Sequence, residues 1–195
     1  MAKKPSTLIN MVVALLVITA VSGGLLGLVY GLTKDTIAEV DLKKNQAAIE
    51  AVLKTNTPID RIEETVIDDL TYNLAYDAQS TLIGAAVRTY SNAGFSGRIE
   101  LMVGLLADGT INAVSVLSQS ETPGLGANMV QPKFKDQFNG KNPASYNLSV
   151  KKDGGDVDAI TAATISSRAF TSAVKLACES FEANKSQFMK GGNVQ

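Results

Sequence analysis

The chain has 195 residues, of which 45% are hydrophobic, and its 18 basic and 19 acidic residues leave a formal net charge of -1. This length suits one membrane segment and one domain with its own core, while the scattered charges form no basic patch for nucleic acid. The chain contains no histidine, which excludes the usual serine and cysteine triads and most zinc or iron sites, so any redox role needs an acquired cofactor.

The N-terminal part of the chain contains an uninterrupted apolar stretch. Residues 8–32 carry no charged side chain, and about 20 apolar residues suffice for a helix to cross a bilayer. A cleaved signal peptide is the alternative, but its apolar core runs only about 7 to 15 residues and ends in an Ala-x-Ala-like site. We therefore predict a membrane helix over residues 8–32.

The charges beside this stretch predict its orientation. Lys3 and Lys4 lie in the tail 1–7, which has no acidic residue, and short basic tails stay in the cytoplasm. Charges beyond Lys34 have little influence, because long domains are translocated largely regardless of charge. We expect the tail to be cytoplasmic and the rest of the chain to lie outside the cytoplasm.

Beyond the span, the pattern predicts a stalk helix at 33–56, a folded domain at 57–188 and a flexible tail at 189–195. Alternation of apolar and polar residues predicts strands at 81–90, 99–105, 111–117 and 146–150, with an Asp108-Gly109 hairpin turn. The other predicted elements are a loop at 118–131, a short helix at 134–138 and a long helix from 165 to about 184. This order is typical of an α+β domain whose antiparallel sheet is flanked by helices.

A run of hydroxyl-bearing and small residues precedes the last predicted helix. Residues 158–167 read Asp-Ala-Ile-Thr-Ala-Ala-Thr-Ile-Ser-Ser. Unpaired N–H groups at a helix start favour an anion, and small residues let a phosphate approach the backbone. The alternative is that Thr161 or Thr164 is an ordinary helix N-cap. Cys178, inside the helical pattern, is expected to be a small buried residue rather than a reactive thiol.

A second loop, residues 121–126, reads Glu-Thr-Pro-Gly-Leu-Gly. Alone, its Pro-Gly pair indicates only a turn. Together with Tyr90, the Gly-Phe-Ser-Gly run at 94–97, the Thr-Ala-Ala-Thr run at 161–164 and the N-terminal span, it makes the chain resemble one family over nearly its whole length. That family is the FMN-binding G subunit of the Rnf ion-translocating electron-transport complex, to which the C subunit of the sodium-pumping NADH:quinone reductase is related.

The resemblance implies that Thr164 accepts FMN through a phosphoester bond made by a separate flavin transferase, with Asp158 at the start of the attachment motif. The family usually has glycine where this chain has Ala162, and the extra methyl is tolerated if φ is negative and unfavourable if φ is positive. Ser166 and Ser167 either donate to the phosphate or are exposed first-turn serines. The residues implied to hold FMN are Thr161, Ala162, Ala163 and Thr164 at the helix start, and Glu121, Thr122, Gly124, Leu125 and Gly126 around the ring.

By the same resemblance, the expected function is that of an electron carrier with no catalytic residue or metal ligand of its own. Its complex would couple ferredoxin:NAD+ electron transfer to Na+ or H+ translocation. The expected partners are other membrane and redox subunits, the flavin transferase and membrane lipid. One alternative is the C subunit of a sodium-pumping NADH:quinone reductase, which usually has a longer extracytoplasmic region. The other is a non-enzymatic membrane-anchored binding module.

Overall fold

The structure, a computed structural model, describes residues 7–55 and 57–191 and divides the chain into one unit up to Lys44 and a second from Asn45 onward. Helix α1 (Leu8–Val52) includes the predicted span and most of the predicted stalk in one continuous helix. All residues from 7 to 44 are exposed, the apolar ones included, and α1 is long and apolar enough to cross a membrane. Apolar side chains on every side of a helix are typical of a membrane span. Residues 1–6 of the predicted tail lie outside the described residues.

The second unit is built on a five-stranded antiparallel sheet whose strands pair in sequence order. Its strands are β1 (Arg61–Ile67), β2 (Leu70–Tyr76), β3 (Leu82–Ser91), β4 (Ile99–Leu106) and β5 (Ile111–Ser118). Three of them agree with the predicted strands at 81–90, 99–105 and 111–117. The predicted α+β class with an antiparallel sheet and flanking helices is therefore confirmed.

The β1–β2 hairpin was not predicted from the sequence. Its turn consists of Asp68 and Asp69, whose φ angles are 49° and 63°, and it joins the paired residues Ile67 and Leu70. Two-residue hairpin turns with positive φ at both positions match the right-handed twist of the strands, and aspartate tolerates this conformation. The Asp-Asp pair was thus a usable turn signal, although β1 is mostly exposed and β2 is buried along nearly its whole length, so neither shows clean alternation.

The two faces of the sheet are covered by different helices. Helix α3 (Thr164–Gly191) packs on one face through an apolar stripe that includes Phe170, Val174 and Phe181. Helix α2 (Pro132–Lys135) and the 3-10 turn after it add Phe134 and Phe138, whose ring centroids lie 5.1 and 5.2 Å from that of Phe170. This large cluster holds α3, and therefore its first turn, in a fixed place against the sheet.

The opposite face of the sheet is covered by the carboxyl end of α1. Val52, 1% exposed, packs with Met102 and Leu117. Gly104 of β4 permits this contact, because a Cβ there would overlap the carbonyl group of Val52. The Asn112 side chain donates hydrogen bonds to the Val52 carbonyl at 2.7 Å and to the Lys54 carbonyl at 3.1 Å, which satisfies carbonyls that a helix end leaves free.

Two secondary-structure predictions were wrong. Residues 146–150 form no strand, only an isolated bridge between Val150 and Val157, because this segment folds back on its own loop, where the Asn147 N–H donates to the Asp156 carboxylate at 2.8 Å. The last helix continues past residue 184 to Gly191, since Phe188 is buried against Tyr72 and so anchors the additional turns. Residues 192–195 of the predicted tail lie outside the described residues.

Candidate functional site

Three chain segments meet at one end of strands β3, β4 and β5 and enclose a cavity of about 320 Å³. They are the loop at 94–97 after β3, the loop at 121–126 after β5, and the start of α3. The lining residues are Phe95, Glu121, Thr122, Leu125, Gly126, Ala162, Ala163, Thr164, Ile165 and Ser166. Seven of the nine residues predicted to hold FMN thus line one cavity. Gly124 and Thr161 instead line a neighbouring cavity of about 730 Å³, which shares Leu125 and Ala162 with the first.

Glu121 ties the three segments together. Glu121 is only 5% exposed. Its two carboxylate oxygens accept hydrogen bonds from the Ser166 hydroxyl at 2.6 Å and the Ser96 backbone N–H at 3.0 Å. A buried carboxylate is costly without such donors. A Cβ at Gly126 would overlap the Ser166 hydroxyl, so only glycine lets the loop approach this pair. Glu121 therefore holds together the three segments that line the cavity.

The loop at 122–125 is a tight turn, as its Pro-Gly pair predicted. The Leu125 N–H donates to the Thr122 carbonyl at 3.1 Å, and Gly124 has a φ of 77°. Proline at the second position and a positive φ at the third are features of a type II turn. The turn places Leu125, which is 41% exposed, on the wall that separates the two cavities.

The structure contradicts one of the two roles considered for Ser166 and Ser167. Both residues are buried, at 2% and 0% exposure, so they are not exposed first-turn serines. The Ser166 hydroxyl donates to Glu121, and the Ser167 hydroxyl donates to the Ala163 carbonyl at 2.9 Å while it accepts from the Ile160 N–H. Both hydroxyls donate to protein acceptors in this structure and so hold the entry to α3 in place. Donation to a phosphate stays a prediction.

The backbone before α3 is in an unusual conformation. Ala162 has a φ of 59°, in the left-handed region that disfavours any residue with a Cβ. The position where the related family usually has glycine is therefore one where glycine would relieve strain. Of the two possibilities considered from the sequence, the structure shows the positive φ, at which the extra methyl group of Ala162 is unfavourable.

Thr164 is the first residue of α3 and is partly buried. Among the described residues, the hydroxyls of Thr161 and Thr164 make no hydrogen bond to a backbone N–H of the first turn, so neither acts as an N-cap. The Thr164 Oγ1 instead accepts a hydrogen bond from Lys152 Nζ at 3.3 Å. Among the residues that the structure describes, the Thr164 hydroxyl hydrogen has no protein acceptor.

Two residues at the site carried no signal in the sequence. Gln137 accepts from the Asp158 N–H at 2.8 Å and donates to the Asp158 carbonyl at 3.2 Å, so it fixes the backbone at the start of the 158–167 run. Lys152 reaches Thr164 from a turn twelve residues earlier. Neither contact follows from local spacing, because both depend on how separate loops pack.

Comparison with known proteins identifies the family. An FMN-binding domain family matches residues 94–179. Over 176 residues the chain is 32% identical to the G subunit of the ion-translocating oxidoreductase complex of Methanosarcina acetivorans, a match that covers 87% of this chain and 92% of that relative. The chain belongs to this G-subunit family. It is also 28% identical over 184 residues to the G subunit of the Na(+)-translocating ferredoxin:NAD(+) oxidoreductase complex of Acetobacterium woodii, with 86% and 88% of the two chains covered.

A solved structure shares the fold of this G-subunit family member. It is the C subunit of the Na(+)-translocating NADH-quinone reductase from Parabacteroides distasonis, with a TM-score of 0.53 and 20% identity over 80% of this chain and 96% of that one. At this identity the likeness concerns the fold alone. The family membership itself confirms the resemblance that the two sequence motifs predicted.

The FMN-binding match contains all three segments that enclose the cavity, since it runs from Gly94 into α3. The residues present fit such a cofactor. Phe95, Leu125 and Ile165 are 68%, 41% and 50% exposed and line the cavity together, which gives a flat aromatic ring an apolar surface. The Thr164 hydroxyl and the Lys152 ammonium supply a polar end suited to a phosphate.

Proposed function

We propose that this protein is the flavin-carrying subunit of an Rnf-type complex that moves electrons between ferredoxin and NAD+ and couples this transfer to Na+ or H+ translocation. The proposal follows from membership of the G-subunit family and from the name of the Acetobacterium woodii relative. The observation that carries it for this chain is the position of the Thr164 hydroxyl, which makes no N-cap hydrogen bond. This hydroxyl lies at the polar end of a cavity with apolar side chains at its rim, inside an FMN-binding domain.

The proposed attachment is a phosphoester bond between Thr164 Oγ1 and the FMN phosphate. A separate flavin transferase would make it from a flavin dinucleotide: the Oγ1–P bond forms, the pyrophosphate bond breaks, a nucleoside monophosphate leaves and the hydroxyl proton passes to solvent. The position of the two residues supports Thr164 over Thr161, because Thr164 lines the same cavity as Glu121 and Thr122 whereas Thr161 lines the neighbouring one. The tether would keep the cofactor from diffusing away.

The protein's own residues position the cofactor and exclude water from part of it. FMN supplies the electron transfer when bound. Phe95, Leu125 and Ile165 offer the apolar surface for the ring, and Glu121 holds the walls in register through Ser96 and Ser166.

Ion translocation would require the partner subunits. Residues 8–32 contain no acidic or basic side chain, and ion paths through a membrane are marked by such groups or by polar cavities. We propose that α1 anchors the protein in the bacterial inner membrane among lipid and partner helices, with the tail in the cytoplasm and the FMN domain outside it.

The attachment is tested by producing the full chain together with a flavin transferase and examining a denaturing gel for flavin fluorescence. We expect fluorescence in the wild type and in Thr161→Val, and none in Thr164→Val. Thr161→Val is the matched control, because it makes the same change three residues earlier in the 158–167 run, at a residue that lines the neighbouring cavity. Fluorescence retained by Thr164→Val would reject the assigned acceptor, and a wild type without bound flavin would favour the non-enzymatic binding module.

The orientation is tested by cysteine labelling in intact cells. Cys178 is buried and burial raises the pKa of its thiol to about 12, so it gives little background labelling. Gln79→Cys, in an exposed turn of the domain, should react with a membrane-impermeant maleimide without cell lysis, whereas Ala2→Cys in the tail should react only after lysis. The reverse pattern would overturn the proposed topology.

A further inference from the structure

A short 3-10 turn, Lys151–Asp153, places three consecutive charged residues beside the start of α3. Its outer two residues are held by ion pairs. Lys151 Nζ lies 2.8 Å from the Asp158 carboxylate, and the Asp153 carboxylate accepts two hydrogen bonds of 2.7 Å from the Arg168 guanidinium. A two-point contact of this kind fixes orientation as well as distance. The turn is therefore anchored on both sides.

The backbone of the turn is also constrained. The Asp153 and Gly155 N–H groups both donate to the Val150 carbonyl, at 2.8 and 3.2 Å, and Gly154 closes the turn with a φ of 80°. A Cβ at Gly155 would overlap the Ser149 carbonyl. The residue in the middle of the turn is thus presented from a defined backbone position.

That middle residue is Lys152. Within the described residues it has no carboxylate at ion-pair distance, and its Nζ donates to Thr164 Oγ1 at 3.3 Å. Its charged neighbours Lys151 and Arg168 are both neutralised by their own partners. A neutral hydroxyl is a weak partner for an ammonium, whereas a phosphate oxygen is a strong one. Lys152 is the cation left to meet a negative charge at the Thr164 oxygen.

We propose that Lys152 binds the phosphate of the flavin carried by Thr164, an inference that rests on the proposed attachment at that residue. Its ammonium stabilises the negative charge that develops on Oγ1 and on the phosphoryl oxygens as the Oγ1–P bond forms and the donor's pyrophosphate bond breaks. The threonine proton leaves to solvent and the nucleoside monophosphate departs. Afterwards, the ammonium pairs with the single charge that remains on the phosphodiester.

A structural role does not account for this placement. Lys152 is exposed, and the turn is already held by the pairs on either side of it. Removing an exposed lysine of this kind changes stability little. The expected effect of its removal is therefore on the loading and environment of the phosphate and not on folding.

The test uses the full chain in detergent and a purified flavin transferase with its flavin dinucleotide substrate. Lys152→Gln removes the charge, Lys152→Arg retains it, and Lys175→Gln is the matched control, since it removes an exposed lysine of α3 that pairs with Glu179 away from the cavity. We expect Lys152→Gln to incorporate flavin about tenfold more slowly, a modest loss for one electrostatic donor to a developing oxyanion. Lys152→Arg should recover most of the rate, and Lys175→Gln should equal the wild type.

A second readout follows the finished phosphodiester. The 31P NMR signal of the attached flavin should move in Lys152→Gln and lose its dependence on salt concentration, while Lys175→Gln leaves both unchanged. Wild-type loading in Lys152→Gln, or slow loading with an unchanged 31P signal, would overturn the proposal, the second because the lysine would then act only on the transferase. If Thr164→Val retained flavin, the attachment site itself would be rejected. If Thr164→Val lost flavin while Lys152→Gln incorporated it at the wild-type rate, only the role of Lys152 would be rejected.

Discussion

Replacement of Ala162 by glycine should stabilise the domain. Ala162 has a φ of 59°, a conformation in which the Cβ crowds the backbone, and it is exposed, so its methyl group contributes no burial that would be lost. Nearly every other glycine substitution in a folded segment destabilises a protein. The expected sign is therefore opposite to the general rule, which makes the substitution a sensitive test of the backbone at this position.

The magnitude follows from two opposing contributions. A left-handed backbone conformation costs an alanine about 1.5 kcal/mol. Against this, the greater conformational entropy of glycine in the unfolded chain lowers the free energy of unfolding by about 0.7 kcal/mol relative to alanine. The net gain is about 0.8 kcal/mol, which corresponds to a rise in Tm of roughly 2 °C for a chain of this size. Ala163→Gly is the control, because Ala163 lacks the positive φ and is 7% exposed. This variant loses a buried methyl group that contributes about 0.8 kcal/mol, and it also bears the cost of the greater unfolded-chain entropy of glycine. Its Tm should fall by roughly 4 °C.

The measurement is thermal unfolding of both full-length variants in detergent, followed by far-ultraviolet circular dichroism. The chain contains no tryptophan, so backbone signals are more informative than fluorescence. Opposite shifts of Tm in the two neighbouring variants would support the left-handed conformation. A fall in Tm for Ala162→Gly comparable with that of Ala163→Gly would refute it.

Three further predictions concern side chains near the site. Glu121→Ala leaves the Ser166 hydroxyl and the Ser96 N–H without their buried acceptor, so chemical denaturation should show a loss of about 3 kcal/mol, whereas the exposed Glu64→Ala should lie within about 0.5 kcal/mol of the wild type. Cys178, whose pKa burial raises to about 12, should resist iodoacetamide at pH 8 until the protein is unfolded, and rapid labelling of the native chain would contradict its burial. The hydrogen bond from Arg168 lowers the pKa of the Asp153 carboxyl below its ordinary value. The pair therefore stabilises the folded protein above the unfolded-state pKa, and this stabilisation is lost as the pH falls through the folded-state pKa, below about pH 4. A carboxyl NMR titration should show that pKa rising in Arg168→Gln, and an unchanged value would disprove the pairing.

The parts of the fold that the sequence predicted are those in which one pattern dominates. The alternating residues of β4, Ile99, Leu101, Val103 and Leu105, all enter the core beneath α3, so their period of two reflects the side of the sheet that they occupy. β2 is buried on both of its faces, and β1 is a mostly exposed edge strand. Neither strand therefore alternates between apolar and polar residues, and the alternation rule predicted neither of them. The error at 146–150 came from the same rule applied to a segment whose backbone bonds go to its own loop.

The site was predictable in its chain segments but not in its contacts. The motifs at 121–126 and 158–167 carried the family resemblance, and most of their residues do line one cavity. The hydrogen bonds of Glu121 to Ser96 and Ser166 join residues 25 and 45 positions apart. Such pairings depend on how the loops pack on the sheet, and a single sequence gives no signal for them.

The order of the strands has a consequence for how the molecule is completed. The five strands pair with their sequence neighbours, and such local contacts form early and rapidly in folding. The cavity, by contrast, lacks a wall until α3, the last helix, has docked and Ser166 has reached Glu121. The cavity is therefore complete only when α3 has packed on the sheet, whatever the order in which the strands pair.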